Sequence, residues 1–163
     1  MDYQLRPAAS EHVAQIAEIW HAGWHEAHGQ IVPTELVTLR TMESFLERSA
    51  ENQSGTWIAV SDATVLGFCM VREDELYQMY VSPAARGGGV AKTLIGDAEK
   101  RILGNGYQIA WLACAKGNSR AMRFYEKSGW NMAGTEVVGL DTSQGAFPLD
   151  VLRYEKKLIS SEG

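Results

Sequence analysis

Residues 85–92 have the clearest chemistry in this chain, because they place three consecutive glycines between a strand pattern and a helix pattern. The strand pattern covers residues 75–81, and the helix pattern begins near Val90. Free N–H groups and a partial positive charge at the start of a helix favour an anion. The glycines that let the backbone approach such a ligand without Cβ clashes are Gly87, Gly88 and Gly89. The loop therefore predicts a phosphate-binding site near the middle of the chain.

A second cluster consists of His21, His25 and His28 with Trp24. Spacings of four and three residues can place the histidines on one helical face, similar to a metal-binding pair. No nearby cysteine or HExxH arrangement supports zinc, so we expect no metal. The region 24–33 is rich in His and Gly and interrupts the preceding helical pattern, which predicts a loop.

The elements that must position these residues follow from hydrophobic periodicity. The pattern predicts the order β-α-α-β-β-β-α-β-α-β-β, with one helix starting at Thr34 and running through Leu46. Residues 109–114 form a continuously apolar run, which predicts a strand covered on both faces. The last two strands are expected near residues 131–138 and 149–158, with a loop around 141–145. This order predicts a mixed sheet with helices on its faces, in the α/β or α+β class.

Composition limits the possible functions. The chain has 163 residues, 45% of them hydrophobic, and is most simply a single domain covering residues 1–163. No apolar run reaches the roughly 20 residues of a membrane span, and the first residues lack the pattern of a signal peptide. With a net charge of −5 and no basic cluster, we expect no nucleic-acid partner, and an acidic surface mildly favours a cationic substrate. Cys69 and Cys114 lie in apolar strand patterns, which favours buried thiols and a cytoplasmic location.

Two motifs together resemble those of the GNAT superfamily of acyl-CoA-dependent N-acetyltransferases. The family's cofactor signature, [Gln/Arg]-x-x-Gly-x-[Gly/Ala], reads Arg-Gly-Gly-Gly-Val-Ala at residues 86–91, after a Val-Ser-Pro at 81–83. The second signature has an Asn at a helix start, an aromatic pair and a Gly-Trp, here at residues 118–130. The strong resemblance runs from about Val65 to Gly134. It implies a mixed, mostly antiparallel sheet of about seven strands with about four helices, splayed between the fourth and fifth strands.

The resemblance also implies a coenzyme A site built on the glycine loop. The pyrophosphate would lie on the loop, and the pantetheine arm would pair with the exposed backbone of the fourth strand, as in β-augmentation. Arg86 can pair with a phosphate, although an exposed surface arginine is the alternative, and Asn118 can contact the cofactor or simply cap a helix. The implied cofactor-binding residues are Met79, Tyr80, Val81, Arg86, Gly87, Gly88, Gly89, Val90, Ala91 and Asn118.

Catalytic roles are implied by the same resemblance. Tyr125 matches the family's tyrosine near the sulfur, and its phenol holds a proton at neutral pH that the departing thiolate can take. The backbone N–H of Val81 is expected to polarise the thioester carbonyl. Glu75 stands where some members carry a glutamate that deprotonates the amine, and a solvated surface charge is the open alternative. Residues implied at the acceptor site are Trp24, His25, His28 and Gln78.

These residues predict an enzyme that transfers acetyl from acetyl-CoA directly to a primary amine in a ternary complex. The region 24–46 would narrow a peptide groove, which favours a small-molecule acceptor. The alternatives are a protein N-terminal or lysine acetyltransferase and a non-catalytic acyl-CoA sensor. A sensor would not need a proton donor at Tyr125, and a homodimer through the terminal strands stays open.

Overall fold

A computed structural model describes residues 2–159 of the chain. Its seven strands form a single sheet in the order β1-β2-β3-β4-β5-β7-β6, in which all neighbours are antiparallel except β4 and β5. The strands are β1 (Gln4–Pro7), β2 (Thr56–Ser61), β3 (Thr64–Arg72), β4 (Glu75–Val81), β5 (Ile109–Ala115), β6 (Asn131–Thr142) and β7 (Gly145–Lys157). The predicted mixed, mostly antiparallel sheet is confirmed.

Five α-helices pack on the two faces of this sheet. They are α1 (Val13–His28), α2 (Thr34–Leu39), α3 (Met42–Glu51), α4 (Val90–Gly104) and α5 (Ser119–Lys127). One hydrophobic core lies between the sheet and α4 with α5, and a second core lies between the opposite face and α1, α2 and α3. Among residues 2–159, no helix is long and apolar enough to cross a membrane.

Two predictions about the N-terminal helices were wrong. Residues 24–28 are the last turns of α1 and not a loop, because burial of Trp24 overrides the weak helix propensity of this region. Position 23 of α1 requires a glycine, because the Tyr80 ring lies against it. A Cβ atom at this position would stand only 2.5 Å from that ring. The single helix expected from Thr34 is instead two helices, since Thr41 accepts a hydrogen bond from the Ser44 amide and begins α3 anew.

The C-terminal half also departs from its predictions in two places. In β5, Ala110, Leu112 and Cys114 are buried while Ile109 and Ala113 are exposed, so one face of this strand is open. A continuous apolar run can form a strand that is covered on both faces or one with an open face. Periodicity alone does not distinguish these two cases. The last two strands are longer than expected and meet in a tight hairpin at residues 142–145.

A β-bulge in β4 decides which side chains reach which face of the sheet. Met70 pairs with Gln78 and Val71 pairs with Leu76, so Tyr77 is an extra residue on β4. Because of this insertion, Leu76 and Met79 pack into the core beneath α4, three positions apart. Tyr77 and Tyr80 pack into the core beneath α1.

The parallel strands β4 and β5 pair at Glu75 with Trp111, and the Trp111 amide donates to the Asp74 carbonyl at 3.1 Å. Every antiparallel pair in the sheet is in register at four or more positions. Beyond Glu75, residues of β4 and β5 instead line the walls of a cavity. The N–H and C=O groups on this edge of β4 are therefore available to a ligand.

Candidate active site

The glycine loop connects β4 to α4 and leaves the start of the helix uncapped by any side chain. Gly87 and Gly89 have φ angles of 86° and 80°, in the left-handed region that favours glycine. Val90, the first residue of α4, is buried and anchors the helix in the core. The backbone N–H groups of the first turn thus face outward beside a positive helix end.

Two arginines converge on one carboxylate next to this loop. Arg86 donates to both oxygens of Glu26 at 3.2 and 3.3 Å, and Arg120 donates to Glu26 Oε1 at 3.1 Å. The hydrogen bond from Arg86 is the main reason that the pKa of Glu26 lies below its usual value. The contacts with Glu26 therefore show that these two guanidinium groups can bind anionic oxygens beside the glycine loop.

A cavity of about 630 Å³ opens beside the loop and the arginines. It is bounded by α1, the end of β4, the start of α4 and the start of α5. Nearly every residue expected to bind the cofactor lines it, and Gly88 is the exception. The expected residues on its wall are Met79, Tyr80, Val81, Arg86, Gly87, Gly89, Val90, Ala91 and Asn118.

Asn118 caps α5 and also faces the cavity. Its Oδ1 accepts a hydrogen bond from the Ala121 amide at 3.3 Å, as a helix N-cap does. The two readings of this residue are therefore compatible, because capping uses the oxygen and leaves the Nδ2 donor for a ligand.

A second cavity, of about 340 Å³, lies between β4, β5, the end of α1 and the β6–β7 hairpin. The two cavities share part of their walls, formed by Met79, Tyr80, Asn118, Ala121 and Tyr125. The ring of Tyr125 is fixed against Trp130 and Tyr154, with centroids 6.3 and 6.2 Å away. Burial raises the pKa of the Tyr125 phenol, so the phenol keeps its proton at neutral pH.

Glu75 lies in the wall of the second cavity, at the one position where β4 pairs with β5. Burial raises the pKa of its carboxyl to about 7, against the opposing effect of Arg72. A carboxyl with this pKa is ionised in part of the molecules at neutral pH and accepts protons more readily than an ordinary glutamate. Glu75 is thus a partly buried carboxyl in the cavity wall.

Of the residues expected to contact an acceptor, Trp24, His28 and Gln78 line the second cavity. His28 Nδ1 lies 3.0 Å from the Trp24 carbonyl, which can only accept, so Nδ1 carries the proton and Nε2 is left as an acceptor. Burial lowers the pKa of His28, which keeps its ring neutral. His25 lies away from this wall, and its Nε2 donates to the Arg40 carbonyl at 2.7 Å, joining α1 to the end of α2.

Sequence reasoning missed Glu26, Arg120 and the β6–β7 hairpin as parts of the site. Glu26 lies two positions after Trp24, and the incorrect loop prediction concealed which side of α1 it occupies. Leu140 and Asp141 reach the second cavity because the hairpin strands are longer than the sequence pattern indicated. Within residues 2–159, no group of three or more His, Cys, Asp or Glu side chains is arranged to hold a metal ion.

The two cysteines are buried and unbonded to each other. Burial raises the pKa of the Cys69 thiol to about 12 and that of the Cys114 thiol to about 11. Both groups are protonated thiols at neutral pH, which makes them poor nucleophiles.

Comparison with known proteins agrees with this geometry. A model of the acetyltransferase (GNAT) family matches residues 13–130. The chain belongs to this family. The glycine loop, Asn118 and Tyr125 all fall within the matched segment.

Its relatives are distant. An uncharacterized N-acetyltransferase of Mycobacterium tuberculosis is 29% identical over 101 residues, which are 59% of this chain and 65% of that protein. The chain thus spans somewhat less than two thirds of that relative's length. A spermidine N(1)-acetyltransferase of Thermoplasma acidophilum is 24% identical over 83% of this chain and 92% of its own.

Solved structures show the same fold. A GCN5-related N-acetyltransferase from Rhodopseudomonas palustris superposes with a TM-score of 0.75 at 22% identity, over 97% of each chain. The PaiA N-acetyltransferase of Thermoplasma acidophilum, solved in complex with coenzyme A, superposes with a TM-score of 0.70 at 23% identity. That match covers 96% of this chain and 99% of the other.

Proposed function

We propose that this protein transfers acetyl from acetyl-CoA directly to a primary amine of a small molecule, with both substrates bound at once. The observation that carries the proposal is the wall shared by the two cavities, in which Tyr125 borders both. One cavity has the features of a phosphate site and the other contains a carboxyl suited to deprotonate an amine. The family and the coenzyme A complex of a protein of this fold support the proposal.

The residues of the larger cavity fit coenzyme A. The uncapped start of α4 and the positive-φ glycines offer N–H donors to a pyrophosphate, and Arg86 and Arg120 already hold a carboxylate in this place. Acetyl-CoA supplies an activated acetyl thioester when bound. No metal is needed for this role, since backbone N–H groups and guanidinium groups provide the positive field.

The open edge of β4 would hold the pantetheine arm. The Ser82 amide donates to the Leu66 carbonyl at 2.8 Å, so the N–H of Ser82 points toward β3. Since successive N–H groups of a strand point to opposite edges, the N–H of Val81 points away from β3. This N–H is the donor that would polarise the thioester carbonyl.

The raised pKa values of Glu75 and Tyr125 support roles as base and acid in acetyl transfer. The Glu75 carboxylate would take the proton of the attacking amine, and the Tyr125 phenol would give a proton to the departing thiolate. Neutral His28, with a free Nε2 lone pair in the same cavity, would accept a hydrogen bond from the amine. The sensor alternative gives no reason for a carboxyl with a pKa near 7 in a cavity that the Tyr125 phenol also lines.

The size and walls of the acceptor cavity support a small molecule rather than a peptide. Trp24, His28 and Val32 close one side, and Leu140 and Leu149 of the β6–β7 hairpin close another. A volume of about 340 Å³ holds a small amine and leaves little room for extended chain on both sides. The spermidine N(1)-acetyltransferase relative also supports a small amine.

We also propose that the chain acts as one catalytic unit and pairs with a second copy through β6. The single sheet from β1 to β7 supports the first point. The segment 149–158, which the sequence suggested for such pairing, lies mostly in β7 between β5 and β6, so it has no free edge. The edge position of β6 supports the second point instead, because Met132 and Val137 are 56% and 66% exposed on it. Sedimentation of the purified protein tests this pairing, and a monomer at micromolar concentration would contradict it.

The proposed reaction is tested by measuring release of the coenzyme A thiol from acetyl-CoA across a panel of amines. The panel contains amino acids, polyamines, aminoglycosides and lysine-containing peptides. We expect turnover with small amines and little with peptides. Binding of acetyl-CoA by calorimetry without turnover of any amine would instead support the sensor, and preference for peptides would support a protein acetyltransferase.

A further inference from the structure

Two arginines are buried in the core beneath α1, next to the acceptor cavity. Arg40 ends α2 and is 2% exposed, and Arg48 lies in α3 and is 8% exposed. Arginine is seldom buried to this extent unless a carboxylate or phosphate accompanies it. In the part of the chain that the structure describes, neither guanidinium lies within 4 Å of a carboxylate.

The hydrogen bonding of both groups is incomplete. The Nε atoms of both arginines and Nη1 of Arg48 are buried without an acceptor among residues 2–159. Arg48 packs over aromatic rings, its Cζ 4.2 Å from the centroid of Trp20. An aromatic ring has no net charge, so this contact leaves the positive field of the arginine in place. Desolvation and the neighbouring Arg48 lower the pKa of Arg40 to about 10, so Arg40 remains charged at neutral pH.

Each arginine is bonded to a residue that lines the acceptor cavity. Arg40 Nη1 donates to the Asp141 carbonyl at 2.6 Å, and Arg48 Nη2 donates to the Tyr77 hydroxyl at 3.0 Å. Both Asp141 and Tyr77 lie in the cavity wall. A third arginine, Arg72, lines the cavity itself, with its Cζ 3.5 Å from the centroid of the Tyr77 ring.

The acidic groups of the cavity do not balance these charges. The Asp141 carboxylate lies 4.0 Å from Arg72 and also favours the charged form of Arg40, but its side chain is 69% exposed, so solvent screens its charge. Glu75, which the proposed function uses as the base, is partly protonated at neutral pH. Asp74 lies at the β5 wall, where its Oδ1 accepts a hydrogen bond from Nε1 of Trp111 at 3.1 Å. The charge that Arg40, Arg48 and Arg72 place on the Tyr77 side is positive, which disfavours a polycation there and favours an anion.

We propose that the acceptor is a primary amine that also carries a carboxylate, with this carboxylate held on the Tyr77 side of the cavity by the field of Arg40, Arg48 and Arg72. This inference rests on the proposed function and names its substrate class. Such a substrate supplies the negative charge that the two buried arginines lack. A polyamine would place further positive charge beside them.

The test compares each amino acid with the amine left when its carboxylate is removed, and adds spermidine. We expect kcat/KM for the carboxylate-bearing amine to be at least about tenfold higher, with the difference mainly in KM. Arg40→Met and Arg48→Met should reduce this preference to about twofold or less, because the apolar side chain fits the site but has no charge. Arg6→Met, at an exposed arginine of β1, is the matched control and should keep the preference.

Calorimetry with butyrate and butylamine provides a second measurement that does not depend on turnover. We expect butyrate to bind to the wild-type protein more tightly than butylamine, and Arg40→Met to weaken butyrate binding. Equal or better turnover of spermidine and decarboxylated amines would overturn the inference while leaving the proposed function intact. If no amine reacts, the proposed function fails, and the acceptor assignment fails with it; butyrate binding then decides whether the cavity selects anions.

Discussion

Replacement of Glu75 by Gln should stabilise the fold at alkaline pH while removing most of the activity. Gln has nearly the shape of a protonated Glu but cannot ionise or accept a proton. In the wild-type protein the carboxyl has a pKa of about 7, above the ordinary value of 4.5, because burial disfavours its charged form. A group whose pKa is raised by folding stabilises the fold below its unfolded pKa, and this stabilisation is lost as the pH rises through the folded pKa.

The structure sets the size of the effect. A shift from 4.5 to about 7 corresponds to at most about 3 kcal/mol of unfolding free energy. Because the side chain is partly exposed and solvent screens its charge, we expect about 1–2 kcal/mol between pH 5 and pH 8. The wild-type protein should lose this stability as pH rises, and Glu75→Gln should not.

The catalytic effect follows from the same pKa. About a tenth of the Glu75 carboxyls are ionised at pH 6 and about nine tenths at pH 8, so kcat/KM should rise about ninefold from this group. Glu75→Gln should lower kcat/KM at pH 8 by about 100-fold, within the range for loss of a general base. Ionisation of the amine substrate affects the wild-type protein and the variant equally. The difference between their pH profiles therefore reports the ionisation of Glu75.

The assays are urea denaturation and steady-state kinetics at pH 5, 6, 7 and 8. Glu73→Gln, at an exposed neighbouring residue in the β3–β4 turn, is the matched control and should change neither quantity. The reasoning would be refuted if Glu75→Gln and the wild-type protein lost stability equally between pH 5 and pH 8. Full activity of Glu75→Gln would remove Glu75 as the base.

Other residues give further tests. Tyr125→Phe should keep acetyl-CoA affinity, because the ring packing against Trp130 is unchanged. Its kcat should fall at least about tenfold in a thiol-release assay, and an unchanged kcat would exclude Tyr125 as the acid. Gly89→Val should abolish acetyl-CoA binding in calorimetry, since a φ of 80° is strained for a β-branched residue. Circular dichroism should show that the fold is retained, and normal affinity for acetyl-CoA would contradict the role of the loop. Glu26→Gln should tighten acetyl-CoA binding by about threefold or more, because the competing carboxylate leaves Arg86 and Arg120. Weaker binding in this variant would show that Glu26 instead holds the two arginines in a productive position.

The arrangement around the glycine loop was predictable because its signal is local. A strand, a glycine loop and a helix lie within about thirty consecutive residues, and glycine is required where φ is positive, as at Gly87 and Gly89. The amphipathic pattern of α4 also fixed its buried face, including Val90 and Leu94. Tertiary packing overrode local preference elsewhere. Burial of Trp24 extended α1 through a region whose composition indicated a loop.

The sequence by itself determined the family, the order of the strands and the glycine loop between β4 and α4, since each depends on neighbours along the chain. The tertiary structure decided the second cavity, because its walls come from α1, β4, β5 and a hairpin more than a hundred residues from the first helix. The contact of Arg40 with Asp141 spans 101 positions, and no periodicity indicates it. A net charge of −5 favoured a cation, whereas two arginines buried beside the cavity favour an anion. Selectivity depends on charges close to the site and poorly screened there, and only the folded chain determines which charges those are.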